Sequence, residues 1–126
     1  MSAAIDASAL LALLFGEVGA EAVADAIASG AATSAVNLGE VATVLVRRAQ
    51  DPAKILAPVR EQLVVEPFTD ADALAVATLY PDTARKGLSL GDRSCLALAQ
   101  RLGGPALTAE RAWADLGLGV KVELIR

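Results

Sequence analysis

Hydrophobic positions follow two different spacings along this chain, and the two spacings alternate. Short, mostly apolar runs of the length of β-strands occupy residues 1–5, 31–36, 63–68, 105–108 and 120–125. Between them, apolar residues recur every three to four positions, which is the spacing of a helix with one buried face. The predicted helices are Asp6 to Phe15, Ala20–Ser29, Asn37 to about Gln50, one that starts at Asp51-Pro52, Thr69–Tyr80, Asp92–Leu102 and a short Glu110–Leu116.

Strands that alternate with helices at this spacing build a parallel sheet covered on both faces, so the pattern predicts a three-layer α/β/α domain. Pro81 is expected to interrupt the helix that ends at Tyr80, and Gly87–Gly91 is expected to form a loop. The sequence contains no internal repeat, low-complexity tail or linker. It therefore predicts a single domain over residues 1–126.

The composition indicates how the core of this domain is built. Hydrophobic residues make up 55% of the chain but aromatic residues only 3%, so the core must consist mainly of Ala, Leu and Val. Small side chains of this kind suit helices that pack closely on short strands. They also leave apolar surface uncovered, which predicts a homodimer.

Missing residue types exclude several classes of site. The chain has no histidine, which removes Ser-His-Asp and Cys-His nucleophiles and zinc sites that need imidazole. Cys95 is the only cysteine, so no disulfide forms within one chain, and we expect a reducing, cytoplasmic setting. The sequence also predicts neither a signal peptide nor a membrane helix. The net charge of −4 argues against binding nucleic acid by bulk electrostatics alone, although it does not exclude an enzyme that acts on nucleic acid.

Four acids stand at comparable places in the predicted fold: Asp6, Glu40, Asp92 and Glu110 each follow a strand or open a helix. Each could simply cap a helix. Asp6 would cap the first helix, and three pairs have the spacing of a cap and a first-turn acid: Asn37 with Glu40, Ser89 with Asp92, and Thr108 with Glu110.

Taken together, these acids favour a different interpretation. All four are expected near the carboxyl edge of one sheet, where like charges repel unless a cation joins them. Carboxylates without histidine or thiolate partners are the ligands that Mg²⁺ or Mn²⁺ prefers. Metal-assisted hydrolysis of a phosphodiester is the chemistry that such a ligand set supports.

Four segments carry a family resemblance: Ile5-Asp6-Ala-Ser8, Asn37-Leu-Gly-Glu40, residues 88–99 around Asp92, and residues 107–113 around Glu110. Their order and spacing resemble a PIN-domain ribonuclease of the VapC toxin type. The resemblance implies an endoribonuclease that depends on Mg²⁺ or Mn²⁺, is neutralised by a cognate antitoxin and is usually dimeric. It also implies the strand order 3-2-1-4-5 and four metal-ligating, catalytic acids, Asp6, Glu40, Asp92 and Glu110.

One position departs from the family pattern. The family usually has Asp where this chain has Glu110, whose side chain is one methylene longer. Asp115 is the alternative fourth carboxylate, although five residues of helix, at about 100° each, would turn it away from Glu110.

The other polar residues have open roles. Ser8 and Thr108 resemble family positions that support a site carboxylate through hydrogen bonds, but both could be ordinary helix caps. Asn37 is interpreted as a cap. Arg93 and Arg111 could contact RNA phosphates or be solvated surface charges. Cys95 and Trp113 are expected in the core.

Two other classes of α/β protein fit the sequence less well than the nuclease. Gly87-Leu-Ser-Leu-Gly91 matches the pattern of a hydrolase nucleophile elbow, but no strand precedes it and no histidine could complete the triad. A receiver domain would need Asp after the third strand, where Glu66-Pro67-Phe68 stands. A PIN-like module that binds RNA or protein without cleavage is the remaining alternative.

Overall fold

The computed structural model describes residues 2–126, and within them five strands form one parallel sheet. The strands are β1 (Ala4–Ile5), β2 (Ala32–Ser34), β3 (Val64–Glu66), β4 (Ala106–Thr108) and β5 (Val122–Leu124). Their order is β3-β2-β1-β4-β5, so β1 lies between β2 and β4. The predicted order 3-2-1-4-5 is confirmed.

Six α-helices and two short 3-10 turns connect these strands within residues 2–126. The helices are α1 (Ala7–Leu14), α2 (Ala20–Ala28), α3 (Ala35–Arg47), α4 (Pro52–Arg60), α5 (Asp70–Thr83) and α6 (Leu90–Leu102). The 3-10 turns are Ala84–Lys86 and Arg111–Trp113. None of the helices in this part of the chain is both long and apolar enough to cross a membrane.

Alternating residues of the central strands face two separate cores. Ala4 and Ala106 pack with α5, α6 and Trp113, whereas Ile5 and Leu107 pack with α1 to α4. Successive side chains of a strand point to opposite faces, so the two cores lie on opposite sides of the sheet. The small alanines allow α6 to pack closely, and residues 94–99 of α6 are all buried. The predicted three-layer α/β/α fold is confirmed.

Polar side chains at the ends of strands explain where several helices begin. Asp6 caps α1, Ser34 caps α3 and Asp51 caps α4, each by accepting a hydrogen bond from a backbone N–H of the first turn. Thr69 and Ser89 start α5 and α6 with complete capping boxes. Hydrogen bonds between residues close in sequence thus determine where these helices begin.

Three predicted element boundaries were wrong. Helix α3 begins at Ala35, not Asn37, because Ser34 ends β2 and caps the helix in one residue. Helix α6 begins at Leu90, not Asp92, because Ser89 is the cap. The predicted helix Glu110–Leu116 is only the 3-10 turn Arg111–Trp113.

Pro81 does not interrupt α5 as predicted. It lies in the last turn of the helix, at an exposed position. Proline lacks an N–H and disrupts the backbone bonding of its turn. The Thr83 hydroxyl donates to the carbonyl oxygens of Leu79 (2.8 Å) and Tyr80 (3.3 Å) and so supplies a side-chain donor in that turn.

Candidate active site

Two of the four predicted site acids lie at the carboxyl ends of the neighbouring strands β1 and β4, and the other two, Glu40 and Asp92, lie in the first turns of α3 and α6 or just after them. Asp6 follows β1 directly, and Glu110 lies two residues beyond β4. A cavity of about 230 Å³ opens there, and its lining residues are Asp6, Ala7, Ser8, Leu11, Glu40, Val44, Asp92 and Glu110. The structure therefore brings all four predicted acids to one cavity. A larger cavity of about 450 Å³, at the amino ends of β4 and β5, has no acid among its lining residues.

Asp6 is held rigidly at the base of this cavity. Only 3% of the residue is exposed. Its Oδ1 atom accepts hydrogen bonds from the Ser8 hydroxyl (2.8 Å) and the Ala9 N–H (2.9 Å), and its Oδ2 atom accepts one from the Thr108 hydroxyl (2.6 Å). The Ala9 bond is the cap of α1. Asp6 thus caps a helix and also lines the cavity.

Backbone amides after β4 fix the two hydroxyls that bind Asp6. The Ala109 N–H donates to the Ser8 oxygen (2.9 Å), and the Glu110 N–H donates to the Thr108 oxygen (3.0 Å). Each hydroxyl can then direct its hydrogen toward the Asp6 carboxylate. The structure places Ser8 and Thr108 where supporting residues were predicted, and Thr108 belongs to β4 and caps no α-helix.

Burial raises the pKa of the Asp6 carboxyl from 3.8 to about 6. The hydrogen bonds from Thr108, Ala9 and Ser8 favour the charged form and lower the pKa, while the negative charge of Asp92 raises it further. A cation in the cavity would favour the ionised form of Asp6.

Cys95 lies in the core near these acids, as predicted for a core residue. Burial raises the pKa of its thiol well above the usual value, and the charges of Asp6, Asp92 and Glu40 act in the same direction. The thiol is therefore protonated and unreactive near neutral pH. Trp113 is also buried, with 1% of its surface exposed.

Glu40 is positioned by a residue whose role the sequence did not predict. Asn37 lies within the first turn of α3 and is no cap; its amide nitrogen donates to Glu40 Oε1 (2.8 Å) and to the Gly91 carbonyl oxygen (3.0 Å). Residues three apart share a helix face, so the Asn37–Glu40 contact could have been found from the sequence. The contact with Gly91, 54 residues away, has no such local signal.

Asp92 is the third residue of α6 and completes its capping box. Its Oδ2 atom accepts from the Ser89 N–H (2.8 Å), and the Ser89 hydroxyl oxygen accepts from the Asp92 N–H (3.1 Å). Within residues 2–126, the second oxygen of Asp92 accepts no hydrogen bond from the chain. One carboxylate oxygen thus anchors the residue while the other stays available at the cavity.

Three other predicted residues do not line the cavity. Arg93 points toward α5: its guanidinium donates to the Val76 carbonyl oxygen (2.8 Å) and lies 5.3 Å from the centre of the Tyr80 ring. In this arrangement the Arg93 guanidinium faces α5 and not the cavity, and its contact with RNA phosphate stays a prediction. Arg111 and Asp115 are exposed outside the lining residues, and the phosphate contact of Arg111 stays a prediction.

The chemistry of the lining acids fits a hard divalent cation. All four offer carboxylate oxygens, and no Lys or Arg within residues 2–126 forms an ion pair with any of them. As the side chains stand, no three His, Cys, Asp or Glu residues in that range lie close enough together to hold an ion. Ligation by three of these acids thus requires at least one side chain to move.

Comparison with known proteins relates the whole arrangement to one family. The model of the PIN domain family matches residues 3–118. No curated protein sequence shows significant similarity to the chain.

Several solved structures share the fold over nearly the full chain. The DNA-bound VapBC complex from Salmonella typhimurium has a TM-score of 0.74 at 17% identity, covering 100% of this chain and 99% of that one. The toxin-antitoxin complex from Klebsiella pneumoniae has a TM-score of 0.76 at 21% identity, covering 99% and 98%. VapC20 from Mycobacterium tuberculosis, a Sarcin-Ricin loop cleaving toxin, has a TM-score of 0.74 at 23% identity, covering 95% and 99%.

Proposed function

Because this chain belongs to the PIN domain family, we propose that it is a metal-dependent endoribonuclease that acts as the toxin of a toxin-antitoxin pair. One observation carries the proposal: Asp6, Glu40, Asp92 and Glu110, which are far apart in sequence, line a single cavity without a cationic partner. Histidine is absent, so acid-base and nucleophilic mechanisms that need imidazole do not apply. A site made of carboxylates alone points to catalysis through a divalent ion.

We assign the following roles to the residues of the site. Asp6, Glu40 and Asp92 would be the principal ligands of Mg²⁺ or Mn²⁺, and Glu110 the fourth. When bound, such an ion supplies Lewis acidity to the scissile phosphodiester. Ser8 and Thr108 hold the Asp6 carboxylate in one orientation, and the Ser89 cap holds Asp92.

Cleavage of RNA by the purified, partner-free protein tests this proposal. A hairpin with the sarcin-ricin loop sequence, a second structured RNA and a single-stranded RNA would be incubated with Mg²⁺, Mn²⁺ or EDTA. We expect cleavage with either ion, none with EDTA, and a loss of at least a hundredfold in Asp6→Asn and in Asp92→Asn. Cleavage that persisted unchanged in both variants would refute the assignment.

The same assay identifies the fourth acid. Glu110→Ala is expected to lower the rate and Glu110→Asp to keep or raise it, while Asp115→Ala leaves it unchanged because Asp115 is outside the cavity. If Glu110→Ala kept the full rate and Asp115→Ala lowered it, Asp115 would be the fourth acid instead. If no RNA were cut under any metal, the alternative of a PIN-like module that binds RNA or protein without cleavage would be favoured.

A cognate antitoxin is the partner that this proposal implies. The similar structures from Salmonella typhimurium and Klebsiella pneumoniae are toxin complexes with their antitoxins, and that likeness supports such a partner here. We expect a small protein to co-purify with this chain from its native host and to inhibit the RNA cleavage. A copurifying protein that left cleavage unchanged would speak against the antitoxin role. The homodimer stays a prediction.

A further inference from the structure

The Asn37 side chain connects two helices that carry site acids. It lies in α3, and its amide nitrogen donates at once to Glu40 in the same helix and to the Gly91 carbonyl of α6. Gly91 directly precedes Asp92. A single buried amide therefore ties the position of Glu40 to the helix end that presents Asp92.

The orientation of this amide is determined by its neighbours. A carboxylate and a backbone carbonyl are both acceptors, so the nitrogen must face them and the oxygen must point away. Only 1% of Asn37 is exposed, and its Oδ1 atom is buried without a hydrogen-bond partner. Burying an unpaired polar atom destabilises a protein. Asn37 thus leaves its own oxygen unpaired while its nitrogen binds Glu40 and Gly91, which is the pattern of a residue that serves a site.

Gly91 provides the space that the Glu40 carboxylate occupies. A Cβ atom at residue 91 would overlap the carboxylate carbon and both oxygens of Glu40. Gly91 is buried within the first turn of α6, and its backbone does not have the positive φ that would itself require glycine. A side chain at residue 91 would therefore displace the Glu40 carboxylate from its present position.

We infer that Asn37 and Gly91 together are positioning residues: they hold the Glu40 carboxylate at the α6 end of the cavity, beside Asp92, so that both can ligate one divalent cation. This inference rests on the proposed metal-dependent function. Removal of a group that orients a metal ligand typically weakens metal binding by about 10- to 100-fold. Asn37 acts through Glu40 and does not itself touch the ion.

Binding of Mn²⁺ to the metal-free protein, measured from the electron paramagnetic resonance signal of free Mn²⁺, tests this role without any RNA. We expect Asn37→Ala and Gly91→Ala each to weaken binding by about tenfold or more. Alanine forms helices better than glycine, so Gly91→Ala should keep or raise the melting temperature while Glu40 is displaced. Ser94→Ala is the matched control, because it removes the hydrogen bond that the buried Ser94 side chain donates to the Leu90 carbonyl oxygen within α6 and should leave Mn²⁺ affinity unchanged.

A double-mutant cycle separates positioning from a general structural effect. In the Glu40→Ala background, Asn37→Ala should change Mn²⁺ affinity by less than twofold, since its target is gone. An equal loss in both backgrounds, or wild-type affinity in folded Asn37→Ala, would overturn the inference even if the protein cleaves RNA. Tenfold weaker binding in Asn37→Ala, together with a wild type that cleaves no RNA, would support the inference and refute the nuclease.

Discussion

Asp6 combines two roles that sequence reasoning treats as alternatives. One of its oxygens caps α1 through the Ala9 N–H, and the carboxylate as a whole lines the cavity. Burial is unfavourable for the charged form, and hydrogen bonds from Ser8 and Thr108 compensate only partly, so the pKa remains raised. The cap contributes to stability, while the buried charge opposes it.

This opposition predicts that Asp6→Asn stabilises the metal-free protein above pH 6. A carboxyl whose pKa is 3.8 in the unfolded chain and about 6 in the folded chain loses its proton first when unfolded. Folding stability therefore falls as pH rises from about 4 to 6 and is constant above. Removing the charge should raise the free energy of unfolding by up to about 2 to 3 kcal/mol at pH 8 and by little at pH 4.

Urea denaturation at both pH values, in the presence of EDTA, measures this effect. Asp25→Asn, which removes an exposed acid from α2, is the control. A variant Asp6→Asn that was less stable than wild type at pH 8 would show that burial does not dominate the energetics of this carboxyl.

At the scale of residues, local order in the sequence was enough to select Asp6 and Asp92 as candidates, because Asp6 directly follows a strand and Asp92 stands three residues after its cap partner Ser89. The supporting role of Ser8 came from the family resemblance, since its bond from the Ala109 N–H joins residues 101 positions apart. The direction of Arg93 could not be found in this way. Its partner, the Val76 carbonyl, lies 17 residues earlier in a different helix. Side chains that bind across elements depend on packing that a sequence pattern does not contain.

At the scale of elements, capping links the start of a helix to the presentation of a site acid. Helices α5 and α6 both begin with a Thr or Ser cap and an Asp at the third position. Only in α6 does that Asp line the cavity; Asp72 of α5 instead lies 3.5 Å from Arg101. The same capping motif therefore occurs at the cavity in α6 and away from the cavity in α5.

This pair provides a matched prediction. Ser89→Ala and Thr69→Ala each remove a cap and should each lower the free energy of unfolding by about 1 kcal/mol. Only Ser89→Ala should also reduce the rate of RNA cleavage, by several fold, because the Asp92 backbone N–H loses the Ser89 hydroxyl oxygen as its acceptor and the start of α6 is held less firmly. Equal effects of the two substitutions on cleavage would mean that the cap of α6 supports the site through stability alone.

Helix boundaries were predicted less well than the helices themselves. The pattern of apolar residues identified α3 and α6, but it began them at Asn37 and Asp92, two positions late, because Ser34 and Ser89 are the caps. The stretch after Glu110 is a single 3-10 turn, and Gly117 and Gly119, both with positive φ, follow it. The spacing of apolar residues shows which face of a helix is buried, but it does not show at which residue the helix begins or ends.

At the scale of the whole molecule, the strand order creates the site. The chain proceeds from β1 to β2 on one side and later returns to place β4 on the other side of β1, which opens a crevice at their carboxyl ends. The alternating pattern predicted a parallel sheet, but the order of its strands came only from the resemblance to a family. Residues 6, 40, 92 and 110 converge because of that order.

Recovery of RNA cleavage by metal-stripped protein during a titration with Mn²⁺, followed together with the melting temperature, tests the central claim most directly. If the acids around Asp6 hold the catalytic ion, cleavage should return along the same saturation curve as the rise in melting temperature, and Asp92→Asn should lose both. Cleavage that is undiminished after the metal is removed, or an increase in melting temperature with no return of cleavage, would contradict the account.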